Sequence, residues 1–360
     1  MSTSQNKDNF FLKLAFQQAE INLGSTSSNP SVGCVIVKNN SVISSGRTSF
    51  NGRPHAEANA LKRNNIINSK IYVTLEPCSH YGKTSPCVIK IINKKPHKVI
   101  FSINDIDIRS KNLAFKKFKK ANIKFKRHTL KNYAEKFYKS YFLQSSNKTP
   151  FIDAKLAISK DYLTINKKKK WITNTRSRVV GNFLRSKYDC ILSTSKTINY
   201  DNSLLNCRID GIEQKSPAVI ILDRSFKIKK KLKIFSDKSR EIFIFTQTSN
   251  SSKEKYFKKI GVNIVKLKKS NNTKKDVCEV YLFLKQLGFN RILIESGVKY
   301  INNVLRFGLV KNFYLFKSSF KLRNKGKNNI KLNLIKKLKA TIYNKVRVNL
   351  NGDSLHRIEL

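Results

Sequence analysis

His55-Ala56-Glu57, followed some twenty residues later by Cys78 and then Cys87, sets one imidazole, two thiols and a carboxylate in a pattern that could hold and use a transition metal. A histidine and two cysteine thiolates fill three tetrahedral positions on Zn²⁺ and leave the fourth to water, whose pKa the metal lowers to about 7. His55, Cys78 and Cys87 are therefore the expected ligands. Glu57 is too close to the histidine to be a convenient fourth ligand, yet near enough to carry a proton from that water to a leaving amine. The chemistry of the set is zinc-dependent deamination.

A closed zinc knot would need a fourth ligand, for which His80 is the local candidate, but Pro77, Gly82 and Pro86 describe a shaped loop rather than a second ligand pair. A disulfide framework does not suit six cysteines scattered at 34, 78, 87, 190, 207 and 278 with no secretory signal ahead of them. At 360 residues the chain exceeds one ordinary core and fits two domains. It holds no run of 18 apolar residues, so no membrane span is expected and the cytoplasm is the expected compartment.

Lys+Arg 73 against Asp+Glu 22 gives a net charge of +51, a balance that ordinarily suggests nucleic acid. The lysines are spread along the chain with Asn and Ile instead of forming one stripe interleaved with aromatics, so no nucleic-acid partner is expected. The densest runs, Lys167 to Lys170 and Lys227 to Lys233, fall where a loop and a hairpin would sit.

The elements that must position the ligands alternate. Asn9 to Ile21 has the apolar spacing of an amphipathic helix, Val32 to Val37 and Ser41 to Ser45 suit a hairpin across Asn39-Asn40, and Ala56 to Lys62 suits a helix. Strand Ile71 to Leu75, helix Val88 to Ile92, strand Val99 to Ser102, helix Leu113 to Ala121, strand Ile123 to Phe125 and helix Asn132 to Leu143 follow. Both ligand segments then lie at loop-to-helix junctions of a layered α/β domain, where helix N-termini favour thiolates. The polar stretch Gln144 to Thr149 marks the boundary, giving domains over 1–146 and 147–360. Beyond it, strands at Phe151 to Ala157, Cys190 to Ser193, Ala218 to Leu222, Ile242 to Thr246 and Arg291 to Ile294, with helices at Thr175 to Ser186 and Lys274 to Leu287, describe a second α/β domain. Its glycines lack the GxGxxG spacing of the Rossmann fingerprint.

With these motifs in view, the chain resembles the bifunctional riboflavin-biosynthesis deaminase/reductase family. The resemblance is carried by Ser28-Asn29-Pro30-Ser31-Val32-Gly33-Cys34, Pro54-His55-Ala56-Glu57 and Leu75-Glu76-Pro77-Cys78-Ser79-His80-Tyr81-Gly82-Lys83-Thr84-Ser85-Pro86-Cys87. Its long Cys78 to Cys87 insert differs from the short PCxxC of general cytidine, guanine and tRNA-adenosine deaminases. The resemblance implies a cytidine-deaminase-like three-layer domain with one Zn²⁺, acting on the amino-bearing C2 carbon of a phosphoribosylated diaminopyrimidinone. Asn29, His80, Lys83 and Asp105 match substrate-binding positions. The second half resembles a reductase domain with a dihydrofolate-reductase-like α/β fold that uses NADPH to reduce a ribosyl group to ribityl. There the resemblance implies Lys155, Arg185, Leu205, Arg208 and Glu295 as substrate contacts, and Trp171, Thr197, Asp201 and Gly297 as cofactor contacts.

Departures from the family pattern are Tyr162 for a glycine, Lys167 to Lys170 for a small polar stretch, Asn202-Ser203 for Asp-Pro, and Asp105-Ile106-Asp107-Ile108 for Asp-Pro-Asn-Pro. Self-association is also implied by the resemblance. Two rival readings stay open at the level of sequence. One is a nucleic-acid deaminase, favoured by charge; the other is a deaminase with a degenerate, non-catalytic second domain, motivated by Tyr162 and the lysine run.

Overall fold

The computed structural model describes residues 3–62, 65–146, 149–268, 273–329 and 343–360. The chain divides into two units, Met1–Asn147 and Lys148–Leu360. The expected boundary at 146–147 falls partly outside the described residues.

The first unit runs α1 (Thr3–Ile21), β1 (Gly33–Lys38), β2 (Ser41–Arg47), α2 (Ala56–Ala60), β3 (Lys70–Val73), α3 (Cys87–Asn93), β4 (Lys98–Phe101), α4 (Ala114–Lys120), β5 (Lys124–Lys126) and α5 (Lys131–Ser146). The helix expected over Ala56 to Lys62 closes earlier, and the one expected to end at Leu143 continues to Ser146. The sheet order is β2-β1-β3-β4-β5, with β2, β1 and β3 antiparallel and β3, β4 and β5 parallel. Asn39 and Asn40 turn the β1–β2 hairpin at φ of 50° and 59°, the left-handed pair that matches strand twist.

Two glycines show why helices cover both faces. A Cβ on Gly33 would lie 1.8 Å from the Ala15 carbonyl of α1, and one on Gly46 would lie 2.4 Å from the Ala56 carbonyl of α2. Gly46 pairs with Cys34, the neighbour of Gly33, so the two glycines face opposite sides of the sheet. Three layers follow, and β1 is buried from Gly33 to Val37 because both of its faces are covered. The close seat of α2 on β2 fixes where His55 and Glu57 stand.

The second unit continues β6 (Phe151–Ile158), β7 (Leu163–Asn166), α6 (Thr175–Arg185), β8 (Cys190–Thr194), α7 (Ser195–Asp201), β9 (Ala218–Leu222), β10 (Ile242–Thr246) and α8 (Ser251–Lys259). Then come β11 (Asn263–Lys266), α9 (Thr273–Gln286), β12 (Arg291–Glu295), α10 (Val298–Arg306), β13 (Asn312–Lys317), β14 (Gly326–Asn329), β15 (Tyr343–Lys345) and β16 (Ser354–Glu359). Among the described residues the main sheet has the order β11-β10-β9-β8-β12-β6-β13-β16-β15, parallel from β11 to β13 and antiparallel beyond. Lys227 to Lys233 is irregular chain entering a short 3-10 turn, not the expected hairpin, because the Asp223 carboxylate accepts from the backbone N–H groups of Lys227 and Ile228.

Alternate strand residues feed two cores. Ile152, Leu192, Ile220, Ile292 and Ile294 pack with Val277, Tyr281 and Leu284 of α9. Ile191, Val219, Ile221, Ile244 and Leu293 pack with Ile198 of α7 and Phe257 of α8. Strands buried on both faces read as continuous apolar runs, which is how the sequence shows them. A sheet covered in this way leaves the carboxyl ends of its parallel strands as the place for ligands.

Candidate active sites

In the first unit His55 precedes α2, Cys87 opens α3 and Cys78 lies in the loop after β3. The donor atoms of His55, Cys78 and Cys87 all lie within 4.8 Å of one another. His55 Nδ1 stands 3.6 Å from Cys78 Sγ and 3.5 Å from Cys87 Sγ. Tetrahedral zinc with Zn–S of about 2.3 Å and Zn–N of about 2.0 Å sets nitrogen and sulfur about 3.5 Å apart, so the donor set and its spacing fit the ion. The Cys87 backbone N–H donates to Cys78 Sγ at 3.2 Å, the helix-terminal support that a thiolate needs. The Cys78 thiol is held down to about 4, first by the Cys87 thiol and then, against burial, by His55.

Glu57 is buried in the first turn of α2, and burial with the Cys78 charge pushes its carboxyl up to about 7. Arg53, Pro54, Thr84 and Lys90 join His55 and Cys87 around a pocket of about 170 Å³.

The other expected residues of this unit are braced by their surroundings. Asn29 donates to the Gly52 carbonyl at 2.9 Å, next to the turn that leads into His55. His80 Nδ1 meets Ser110 Oγ at 2.8 Å, and Ser110 Oγ also accepts from the Ser79 N–H. Lys83 is exposed in the same loop. Asp105 is buried, accepting from Tyr141 and from the Asp107 N–H, and burial raises its carboxyl above the usual range. Glu76, two residues before Cys78, carries a role that spacing along the chain does not show. It accepts from the N–H groups of Asp105, Asn112 and Ala114, so it ties the Cys78 loop to the segment that carries Asp105 and Ser110.

In the second unit all nine expected residues, Lys155, Trp171, Arg185, Thr197, Asp201, Leu205, Arg208, Glu295 and Gly297, line one cavity of about 1180 Å³. That exceeds an ordinary small-ligand pocket of about 300–1,000 Å³ and gives room for a dinucleotide beside a second ligand. At its centre Arg185 grips Glu295 with two parallel bonds, Nε to Oε1 at 2.6 Å and Nη2 to Oε2 at 3.0 Å, while Lys155 Nζ reaches Oε2 at 3.4 Å. Burial would raise the Glu295 carboxyl, but Arg185 and Lys155 overrule it and bring it to about 2.

Arg185 also donates to the Asn206 carbonyl at 3.0 Å, tying the Leu205 to Arg208 loop to that pair. Arg208 is exposed and donates to Asn206 Oδ1. Thr197 Oγ1 accepts from the Gly297 N–H at 3.0 Å, which joins the start of α7 to the start of α10. A Cβ on Gly297 would meet only that hydroxyl, at 3.5 Å, so the helix N-terminus stays open to an anion. Trp171 is half exposed on the rim, with Arg178 at 5.1 Å and Lys170 at 5.3 Å from its ring centroid. Asp201 ends α7.

Sequence reasoning missed Arg240. Its buried side chain donates to the carbonyls of Leu204, Leu205 and Pro217, and nothing in its sequence context marked it.

The fold and the two sites define a zinc-deaminase-type domain joined to a nicotinamide-dependent reductase-type domain. Residues 5–103 match the zinc-binding region of cytidine and deoxycytidylate deaminases, and residues 150–340 match the RibD C-terminal domain. The chain belongs to the family of the bifunctional riboflavin biosynthesis protein RibD. The Buchnera aphidicola (subsp. Baizongia pistaciae) protein of that name is 31% identical, with 86% of each chain covered. In fold, the chain resembles the Thermotoga maritima diaminohydroxyphosphoribosylaminopyrimidine deaminase/5-amino-6-(5-phosphoribosylamino)uracil reductase, with a TM-score of 0.80, 23% identity and 99% of each chain covered. Acinetobacter baumannii RibD gives 0.79 at the same identity and coverage.

Proposed function

We infer that this chain catalyses two consecutive steps of riboflavin biosynthesis: deamination of a phosphoribosylated diaminopyrimidinone, then reduction of the ribosyl group of 5-amino-6-(5-phosphoribosylamino)uracil. The observation that carries the first step is the cluster of His55, Cys78 and Cys87 with buried Glu57 beside it. Zinc, when bound, acts as a Lewis acid and makes water nucleophilic near neutral pH. Glu57, buried in the first turn of α2 two residues beyond His55, is placed to take a proton from the attacking water and return it to the departing amine as ammonia forms. Asn29 and His80 are proposed to read the pyrimidine edge, Lys83 to pair with the substrate phosphate, and Asp105 to support that site.

NADPH, when bound, supplies the hydride of the second step. Thr197, Gly297, Trp171 and Asp201 are proposed to seat the cofactor. Lys155, Arg185, Leu205, Arg208 and Glu295 are proposed to seat the sugar phosphate, with the two arginines as its cations. Hydride transfer needs placement more than side-chain chemistry, and the Arg185–Glu295 clamp supplies a fixed floor for it. Family membership favours this reading over a nucleic-acid deaminase.

We further propose that the protein works in the cytoplasm as a homo-oligomer, the family resemblance supporting self-association; cell fractionation and light scattering test these points. The test of the activity is one assay on zinc-loaded protein that follows ammonia release and NADPH oxidation together. Both signals are expected. Ammonia without NADPH loss would leave the second domain non-catalytic, and neither would sink the assignment.

A further inference from the structure

We propose that Asp353, in the turn before β16, is a positioning residue for cofactor binding: it holds the cavity rim over residues 171–174 from behind, and NADPH affinity depends on it although it does not line the cavity. This rests on the reading that Trp171 meets the cofactor in the second-unit cavity.

Asn351-Gly352 is the dipeptide of a two-residue hairpin turn, and it takes the left-handed pair of φ values, 50° and 88°. The turn joins Leu350 to Asp353, which face each other as an antiparallel bridge. Leu350 seats it in a small core with Phe316 of β13 and Leu355 of β16, against which Val180 and Leu184 of α6 pack. What the turn offers to the start of α6 is a set of acceptors. Asp353, 8% exposed, receives the Asn174 N–H at 2.9 Å and the Ser177 hydroxyl at 2.7 Å on Oδ2. Its Oδ1 receives the Ser319 N–H at 3.0 Å, with the Ser319 hydroxyl at 3.4 Å. The Asn174 side-chain amide donates to the carbonyls of Leu350 and Asn351, while its Oδ1 caps α6 by accepting from the Ser177 N–H.

These bonds reach the cavity within one residue. Ser177 lines it, and so do Trp171, Ile172 and Thr173, which lead into Asn174. Arg178, next to Ser177, donates to the Thr173 carbonyl at 2.8 Å and stands 5.1 Å from the Trp171 ring centroid. Upstream, Asn166 Oδ1 pins the chain by accepting from the N–H groups of Lys168 and Lys169. The face that Trp171 turns to a ligand is therefore set by the first turn of α6, and that turn is set by Asp353. A carboxylate suits this place because it accepts on both oxygens at once, whereas an amide has one acceptor and points N–H groups at whatever lies on its other side. The two oxygens of Asp353 serve two segments, the start of α6 and the chain just after β13, so Asp353→Asn must release one of them. A buried donor left facing another donor is costly, and the rim loosens instead.

Trp171 is the one tryptophan of the chain, so its fluorescence reports the rim directly. On the full zinc-loaded chain, quenching of Trp171 gives the Kd for NADPH, and its anisotropy without ligand gives the freedom of the rim. Asp353→Asn should weaken NADPH about tenfold and lower the anisotropy, while the KM for the phosphoribosylaminouracil at saturating NADPH stays within about twofold of wild type. Ser177→Ala, which removes one of the two bonds to Oδ2, should weaken NADPH about threefold. Ser319→Ala, which removes only the 3.4 Å contact, should leave both constants at their wild-type values. An unchanged Kd or an unchanged anisotropy in Asp353→Asn, or equal losses in Kd and KM, would overturn the proposal. Should Asp353→Asn fail to fold, an unchanged Kd in Ser177→Ala would overturn it. Wild-type protein unable to bind NADPH would bring down the cofactor reading, and this inference with it.

Discussion

Glu57 and Glu295 are both buried carboxylates, yet their surroundings push them in opposite directions. Glu57 is raised by burial and a neighbouring thiolate, the state suited to exchanging protons near neutral pH. Glu57→Gln keeps the shape and the ligand set, so zinc content should stay at one per chain while ammonia release falls by about 10²- to 10⁴-fold. Near wild-type turnover in that variant would remove Glu57 from the mechanism. Glu295 is held to about 2 in the folded chain against an ordinary 4.5, so it contributes stability that is complete above pH 4.5. That contribution, on the order of 3 kcal/mol, is lost as pH falls toward 2. Glu295→Gln should be less stable at pH 6, because Arg185 and Lys155 lose their partner, yet it should lose less further stability between pH 5 and pH 3. Denaturant midpoints at the three pH values check this; parallel decline of both proteins would contradict it.

The active-site elements are positioned by contacts that lie beneath them. Arg240, just before β10, holds the carbonyls of Leu204 and Leu205, and Leu205 sits at φ 54°, a conformation that a leucine does not adopt unaided. Arg240→Met should raise the KM for the phosphoribosylaminouracil about tenfold while the NADPH Kd stays unchanged, and Arg240→Lys should recover part of the loss. A fall in thermal stability with an unaltered KM would show that the loop stands without it. The departures from the family pattern also find local explanations. Asn202 caps α7 at φ 43°, where a left-handed asparagine is tolerated, and its Oδ1 receives the Lys233 N–H at 2.8 Å. Tyr162 takes the left-handed turn after β6 at φ 68°, a strained place for a tyrosine, with Lys317 Nζ 4.4 Å from its ring centroid and donating to its hydroxyl.

At the scale of the whole molecule, two units carry two different dependences on added groups. The metal donors lie entirely in Met1–Asn147 and the large cavity entirely in Lys148–Leu360. Chelation of zinc should therefore abolish ammonia release while NADPH oxidation continues when the deaminated pyrimidine is supplied directly. Loss of both activities on chelation would show that the second unit depends on the metal in the first. The net charge of +51 has no counterpart in these sites beyond the cations named, and its surplus lysines are mostly exposed.

The sequence alone was enough for the parts whose physics is local. The metal kit follows from ligand chemistry and spacing, and the buried strands from continuous apolar runs such as Cys34 to Val37 and Ile292 to Ile294. The hairpin turn follows from Asn39-Asn40, and motif resemblance singled out nine second-unit residues that line one cavity. What depends on residues far apart in the chain was decided only in three dimensions. Glu76 reaches across 38 positions to Ala114, Arg240 across 36 to Leu204, and Arg185 across 110 to Glu295. The set of donors gathered on Asp353 is of the same kind, since a carboxylate's hydrogen-bond balance depends on which strands and helices surround it, and no spacing along the chain records that.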